Sequence, residues 1–168
     1  MNWQKDYAMS AANKVSRPHM PDYGILPENE GVGLLPWSFV EERMESARNY
    51  WIASTRPDGD PHTAPVWGLW HQGAFYFSTG DQSVKGRNVS ANPKISVHLE
   101  SGDEVVILEG EVNEVKDNEV LKSLDQAYNK KYDLDMQGPG LIFLLSARKA
   151  FAWREKDFPQ SATRWIFD

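Results

Sequence analysis

The 168-residue chain contains no cysteine. That absence removes disulfides, thiolate nucleophiles and cysteine-type metal centres together. Positive charge is also scarce: 18 Lys and Arg stand against 24 Asp and Glu, giving a formal net charge of −6 and a pI near 5.2. Nucleic-acid phosphates are met by a basic face, so no nucleic-acid partner is expected. No apolar run approaches the roughly 20 residues that cross a bilayer, and no membrane partner is expected. The stretch "MNWQKDYAMSAANK" has no apolar signal core, which predicts a cytoplasmic chain. Neither G-x-G-x-x-G nor a Walker motif occurs, closing the Rossmann and P-loop routes to a nucleotide. His19, His62, His71 and His98 form no H-x-x-H or H-E-x-x-H pair, so no metal site is expected. No serine lies in a G-x-S-x-G elbow, and a hydrolase triad is not expected either.

What the chain has in quantity is aromatic surface: seven Trp, six Tyr and seven Phe. These supply large buried areas and flat faces for stacking. Residues 1–36 are rich in Pro and Gly, which predicts an extended arm without a core of its own. Its apolar residues, among them Trp3, Tyr7, Tyr23, Ile25 and Leu35, predict that the arm lies on its own domain or on a partner subunit. Residues 37–168 read as one domain. "PWSFVEERMESARNY" predicts a helix capped by Ser38 with Glu41 completing a capping box. "YWIAST", "PHTAPVWGLW", "AFYFST", "PKISVHLE", "EVVILEGEVNEV", "GLIFLLS", "KAFAWR" and "TRWIF" predict strands. Pro65 marks the second of these as an edge, a bulge or a ligand-facing segment. "DNEVLKSLDQAYNKKY" predicts an amphipathic helix. Strands recurring every roughly eight to twelve residues predict a mainly β fold with a few helices, closed or nearly closed into an antiparallel barrel.

Glu109 and Glu111 share one strand face by their spacing, the pattern of a solvated face. A different stretch concentrates anion-binding chemistry. "FYFSTGDQSVKGRNV" ends a strand on Ser78 and Thr79, then turns through Ser83 into a helix carrying Lys85 and Arg87. Hydroxyls donate to phosphate, and a helix start adds free N–H groups and a favourable dipole. From the residues alone the stretch is either an anion site or a solvated helix start.

The order and spacing of "YWIASTRPDGDPHTAPVWGLW", "FYFSTGDQSVKGRNVSANPKISVHLE" and "DEVVILEGEV" resemble the flavin-binding split-barrel superfamily, the group that includes pyridoxamine 5′-phosphate oxidase. The resemblance runs from about Trp37 to the C-terminus. It implies a six-stranded split β-barrel that pairs as a homodimer, with one FMN in each of two interface clefts. It further implies that Ser78, Thr79, Ser83, Val84, Lys85, Arg87 and Asn88 grip the FMN phosphate. Thr63, Ala64, Pro65, Val66 and Trp67 would line the isoalloxazine ring, and Trp153 and Arg164 would reach it from the other subunit. The oxidase's basic residue on the ring strand and its Arg-Leu-His segment are missing here, which argues against a vitamin B6 oxidase. The expected activity is FMN-dependent hydride or electron transfer to a small, flat, apolar substrate, with Trp67, Trp70 and Trp153 as candidate substrate walls. One alternative is a reductase using the deazaflavin coenzyme F-420, its glutamyl tail meeting Lys14 and Arg17. Another is a non-catalytic flavin- or haem-binding or stress protein, with His62, His71 or His98 as the axial ligand.

Overall fold

The computed structural model describes residues 12–27, 30, 33–134 and 140–167. The expected contributions of Trp3 and Tyr7 lie outside the described residues. Among the described residues eight strands form one sheet: β1 (Lys14–Ser16), β2 (Asn49–Thr55), β3 (Pro61–His71), β4 (Ala74–Thr79), β5 (Lys94–His98), β6 (Glu104–Glu114), β7 (Leu141–Arg154) and β8 (Thr163–Ile166). The helices are α1 (Trp37–Ser46), α2 (Val84–Ala91), α3 (Asn118–Tyr132) and the short α4 (Phe158–Ser161). Every pairing is antiparallel, and the strand order is β1-β8-β7-β4-β3-β2-β5-β6. Pairing of β7 with β6 as well as β4 closes the six strands β2 to β7 into a barrel. Among the described residues no helix is long and apolar enough to cross a membrane.

The alternation of β2 sets the geometry: Tyr50, Ile52 and Ser54 point inward, while Trp51, Ala53 and Thr55 face out. The inward set joins Phe75, Phe77, Val97, Leu108 and Leu145 in the barrel core. A second cluster lies outside the wall, where Val120, Leu124 and Tyr132 of α3 cover Leu69, Tyr76 and Leu144. Both faces of "GLW" and "AFYF" are therefore buried, which explains why these strands are apolar without a break. The unusual length of β3 comes from a change of partner along it. Pro61–Trp67 pairs with β2, whereas Gly68–His71 pairs with β4. Pro61–Trp67 consequently has no strand on its other edge among the described residues, and Pro65 sits on that open edge, as its missing N–H requires.

Two sequence expectations change. The first helix starts at Trp37, with Pro36 at the cap position and no side-chain cap, so the Ser38–Glu41 box does not form. Instead the Phe39 N–H donates to the Pro36 carbonyl. "GLIFLLS" and "KAFAWR" are one strand, β7, continuous through a bulge in which Arg148 is the extra residue opposite Glu109 and Gly110. Gly110 is required there, because a Cβ would lie 2.1 Å from the Ser146 carbonyl oxygen. The arm also has structure of its own: β1 pairs with β8, and Leu35 enters the barrel core. The described part of the arm thus lies on its own chain.

Candidate functional site

The turn between β4 and α2 brings the predicted anion-binding groups together. Thr79 is buried at the end of β4, and its Oγ1 lies 2.9 Å from Ser83 Oγ. Ser83 caps α2 by accepting from the Gly86 N–H at 2.9 Å. Gly86 presses against the turn so closely that a Cβ would stand 2.2 Å from the Gly80 carbonyl oxygen. Glycine is thus the residue that lets the helix start sit over the two hydroxyls. Lys85 follows one residue into the helix, half-buried, and burial lowers its pKa. Among the described residues its ammonium has no hydrogen-bond or ion-pair partner. Val84 and Ser78 are half-buried, but alternation turns Ser78 to the face opposite Thr79, where its Oγ lies next to Gly140.

Two predicted phosphate residues have other engagements. Asn88 is buried and donates to Ser54 Oγ at 3.1 Å, tying α2 to the end of β2. Arg87 is exposed, and its Nη1 donates to the Gln82 carbonyl at 2.6 Å, bracing the turn from outside.

The ring-strand residues divide by alternation. Thr63, Pro65 and Trp67 face out, while Val66 is buried in the core and Ala64 is half-buried. Trp70 is buried in the barrel core, so it is no substrate wall. Directly paired residues share a face, and one cross-strand row runs Pro65, Trp51, His98, Ile107, Phe151, Arg164, Ser16. Trp153, paired with Val105, lies one step along the same outward face. Trp153 and Arg164 therefore face outward like Pro65, but from other strands of the closed wall, β7 and β8. They are also at the opposite end of β7 from Leu141, the partner of Thr79. Within one chain they do not meet the β4–α2 turn. Trp153 packs edge-on against Phe158, and Arg164 donates to Ser16 Oγ at 3.0 and 3.2 Å.

The sequence reading missed a cluster at the open end of β3. Tyr132 stacks on Trp67 with centroids 4.9 Å apart and planes 6° apart. Its hydroxyl fills the gap where β2 stops, donating to the carbonyl oxygens of Gly68 (2.8 Å) or Arg48 (2.7 Å) and accepting from the Gly68 N–H at 3.1 Å. Lys131 Nζ donates to Tyr50 Oη at 2.7 Å and to the Gly68 carbonyl at 3.2 Å. Burial, assisted by the Arg48 charge, lowers the Lys131 pKa from 10.5 to about 8. The signal available in sequence was "NKKY", which reads equally well as the solvated end of a helix.

This shift has a measurable consequence. The folded chain releases the Lys131 proton near pH 8, whereas the unfolded chain holds it until about 10.5. Stability is therefore expected to rise as pH climbs from about 8 toward 10. Tyr50, raised above the usual phenol range by burial and by Tyr132, stays protonated through that window; its opposing slope begins only above pH 10. Denaturant titrations of the wild type and Lys131→Met across this range check the effect, and the variant should show a smaller rise, the part left by Lys85, whose pKa burial also lowers.

The other clusters are less suggestive. Among the described residues no three His, Asp or Glu side chains converge on a metal position. His71 Nε2 lies 2.9 Å from Ser123 Oγ, and burial lowers its pKa. His62 Nδ1 is buried without a partner. Arg17, expected to help form a basic groove, is almost wholly buried and spends its guanidinium on the carbonyls of Gln160, Ala162 and Glu30.

Comparison with known proteins bears on the family and the fold. Residues 38–154 match the family described as pyridoxamine 5′-phosphate oxidase, and the chain belongs to that family. Its fold is similar to that of a conserved hypothetical protein from Mycobacterium tuberculosis, at 22% identity and TM-score 0.66, covering 74% of this chain and 88% of that one. An F420 reductase is similar at 22% identity and TM-score 0.54, covering 66% of this chain and 94% of that one. The haem storage protein HutZ from Vibrio cholerae is similar at 13% identity and TM-score 0.55, with 64% and 87% covered. These identities establish likeness of fold. No curated protein matches the sequence.

Proposed function

We propose that the chain is an FMN-dependent oxidoreductase acting as a two-fold homodimer. The observation that carries this reading is Lys85, a half-buried cation without a partner among the described residues, at the start of α2 and directly after the Thr79–Ser83 hydroxyl pair. A desolvated cation beside free helix N–H groups is suited to a phosphate. The neighbouring edge of Pro61–Trp67 lacks a strand and so offers backbone groups to a planar ring's polar rim. Bound there, FMN would supply the redox chemistry, accepting and passing on hydride or single electrons. The chain's own part is to hold the phosphate with Lys85, Thr79 and Ser83, and to shield the ring with outward side chains of β3. Homodimerisation is supported by the outward row of Trp51, His98, Ile107 and Phe151, an apolar and aromatic face that a second copy would cover. Such a pairing is what the resemblance requires for Trp153 and Arg164 of the partner subunit to meet Thr63–Trp67.

The phosphate is the discriminating group. FMN is expected to bind at least about 30-fold more tightly than riboflavin, combining a charge-assisted hydrogen bond with the helix dipole. Fluorescence titration of the cofactor-free protein with each ligand measures the ratio. Equal affinities would remove the proposed phosphate grip.

A haem-binding role is favoured by a separate observation. His98 Nδ1 lies 2.9 Å from the Leu99 carbonyl, which can only accept, so in the neutral ring Nδ1 is the donor and Nε2 carries the lone pair. His98 stands on the outward face, its ring parallel to Trp51 within 5°. That is the arrangement an axial ligand requires, and a haem titration of His98→Ala against wild type tests it. A deazaflavin coenzyme would use the same phosphate grip, but Arg17 is not free to meet its tail.

A further inference from the structure

Glu109 and Glu111 share the outward face of β6, and the cations opposite them do not close on them. Residues directly opposed on antiparallel strands stand about 5 Å apart at Cβ, within reach of an ion pair. Lys94 is opposed to Glu111, and Lys149 to Glu109. Among the described residues the side chains of Lys94, Glu109 and Lys149 nevertheless have no hydrogen-bond or ion-pair partner, and Glu111 reaches only Arg148, at a loose 3.7 Å. The bulge in β7 explains the layout. Alternation would turn one of two consecutive residues inward, but the extra residue leaves Arg148 and Lys149 both exposed between buried Ala147 and Ala150. These charges ring a cavity of about 470 Å³. Between them the lining is small: Ala53, Ser96 and Gly110, the last kept free of a side chain by the Ser146 carbonyl. None of the lining residues is among those assigned to the cofactor. The cavity also lies one cross-strand row beyond Trp51, His98, Ile107 and Phe151, the apolar row that a second copy would cover. Interface cores are poor in charge, which sets this ring of ionised groups outside that contact.

We propose that this cavity binds a small zwitterion of the α-amino acid class, its carboxylate on Arg148 and Lys149, its ammonium on Glu109 and Glu111, and a short aliphatic side chain against Ala53 and Ser96. A ligand of one sign would satisfy one set of charges and be repelled by the other, so both charges are selected together. The Arg148 guanidinium can pair both oxygens of a carboxylate through its planar fork. Small-molecule sites span roughly 300–1,000 Å³, and this cavity stands in the lower half of that range, a size for an amino acid. Glu109 and Glu111, a solvated face by sequence pattern alone, thereby acquire a ligand. The site is independent of the flavin reading, because it shares no residue with the β4–α2 turn or with Thr63–Trp67.

The test titrates the full-length, nitrogen-15-labelled protein with three probes and follows assigned amide resonances. The probes are L-leucine, 4-methylpentanoate, which lacks the ammonium, and isoamylamine, which lacks the carboxylate. L-leucine is expected to shift the Ser96 and Gly110 amides and to bind about five-fold or more tightly than either analogue, the upper scale of one exposed ion pair. Replacing both Glu109 and Glu111 with Gln should bring L-leucine and 4-methylpentanoate to the same affinity. Arg148→Met should narrow the gap between L-leucine and isoamylamine. Ala53 faces outward, so Ala53→Leu should fill the cavity and remove binding of all three probes while the amide spectrum elsewhere stays that of the wild type. Equal affinities for the three probes, unmoved Ser96 and Gly110 amides, or undiminished L-leucine binding in Ala53→Leu overturns the proposal. These titrations need no cofactor, so failure of the flavin reading would leave their outcome readable.

Discussion

Replacing Lys85 with alanine is expected to weaken FMN binding about 10- to 150-fold, the equivalent of roughly 1.5–3 kcal/mol for a hydrogen bond to a charged group. Riboflavin affinity should hardly change. The expectation follows from what Lys85 lacks. A surface lysine satisfied by water or a carboxylate would contribute little, but this one is half-buried, unpaired and held one residue inside a helix start. Its lowered pKa reports the cost of that desolvation, and a bound phosphate would offset it. Arg87→Ala should have a smaller effect, since its guanidinium is exposed and already braces Gln82. Parallel titrations of the two variants with FMN and riboflavin separate a phosphate grip from a general loosening of the turn. An unchanged FMN affinity in Lys85→Ala would place the phosphate elsewhere.

Arg17→Ala is expected to destabilise the fold by about 3 kcal/mol or more, because it strands buried carbonyls that a charged donor now satisfies. Arg17 joins three segments distant in sequence, bonding Glu30 in the arm and Gln160 and Ala162 beside β8. Its neighbour Ser16 completes the β1–β8 pairing and accepts from Arg164. The arm is therefore part of the fold's closure. For a chain of this size the loss corresponds to a fall of roughly 6–12 °C in Tm. Lysine at this position should rescue little, having no planar fork to reach three carbonyls. Thermal unfolding of Arg17→Ala and Arg17→Lys checks both statements; a shift of under about 2 °C would mean the arm packs without it.

The barrel was legible because its strands alternate cleanly and its turns carry strong signals. Asp58-Gly59 and Gln72-Gly73 close the two hairpins, with Gly59 and Gly73 at positive φ. The continuous strand β7 was not legible, since Ser146, Arg148 and Lys149 are exposed in its middle and read as a turn. Only the bulge against Gly110, a tertiary feature, carries the strand through them. The Thr79–Ser83–Lys85 group was readable because its residues are local in sequence. The Trp67–Tyr132–Arg48 group was not, because Trp67 and Tyr132 lie 65 positions apart and the strand partner changes at Gly68. Asn88 shows the limit of motif reading: its place in "SVKGRN" suggests phosphate contact, but its amide is committed to Ser54 inside the fold.

The claim that the β4–α2 turn holds the phosphate of a flavin is tested most directly by the small molecule that purifies with the protein. Its absorption spectrum and mass should be those of FMN, and it should be lost from Lys85→Ala under the same purification. A deazaflavin mass would keep the grip and change the cofactor. A haem spectrum that persists in Lys85→Ala and disappears in His98→Ala would contradict the account.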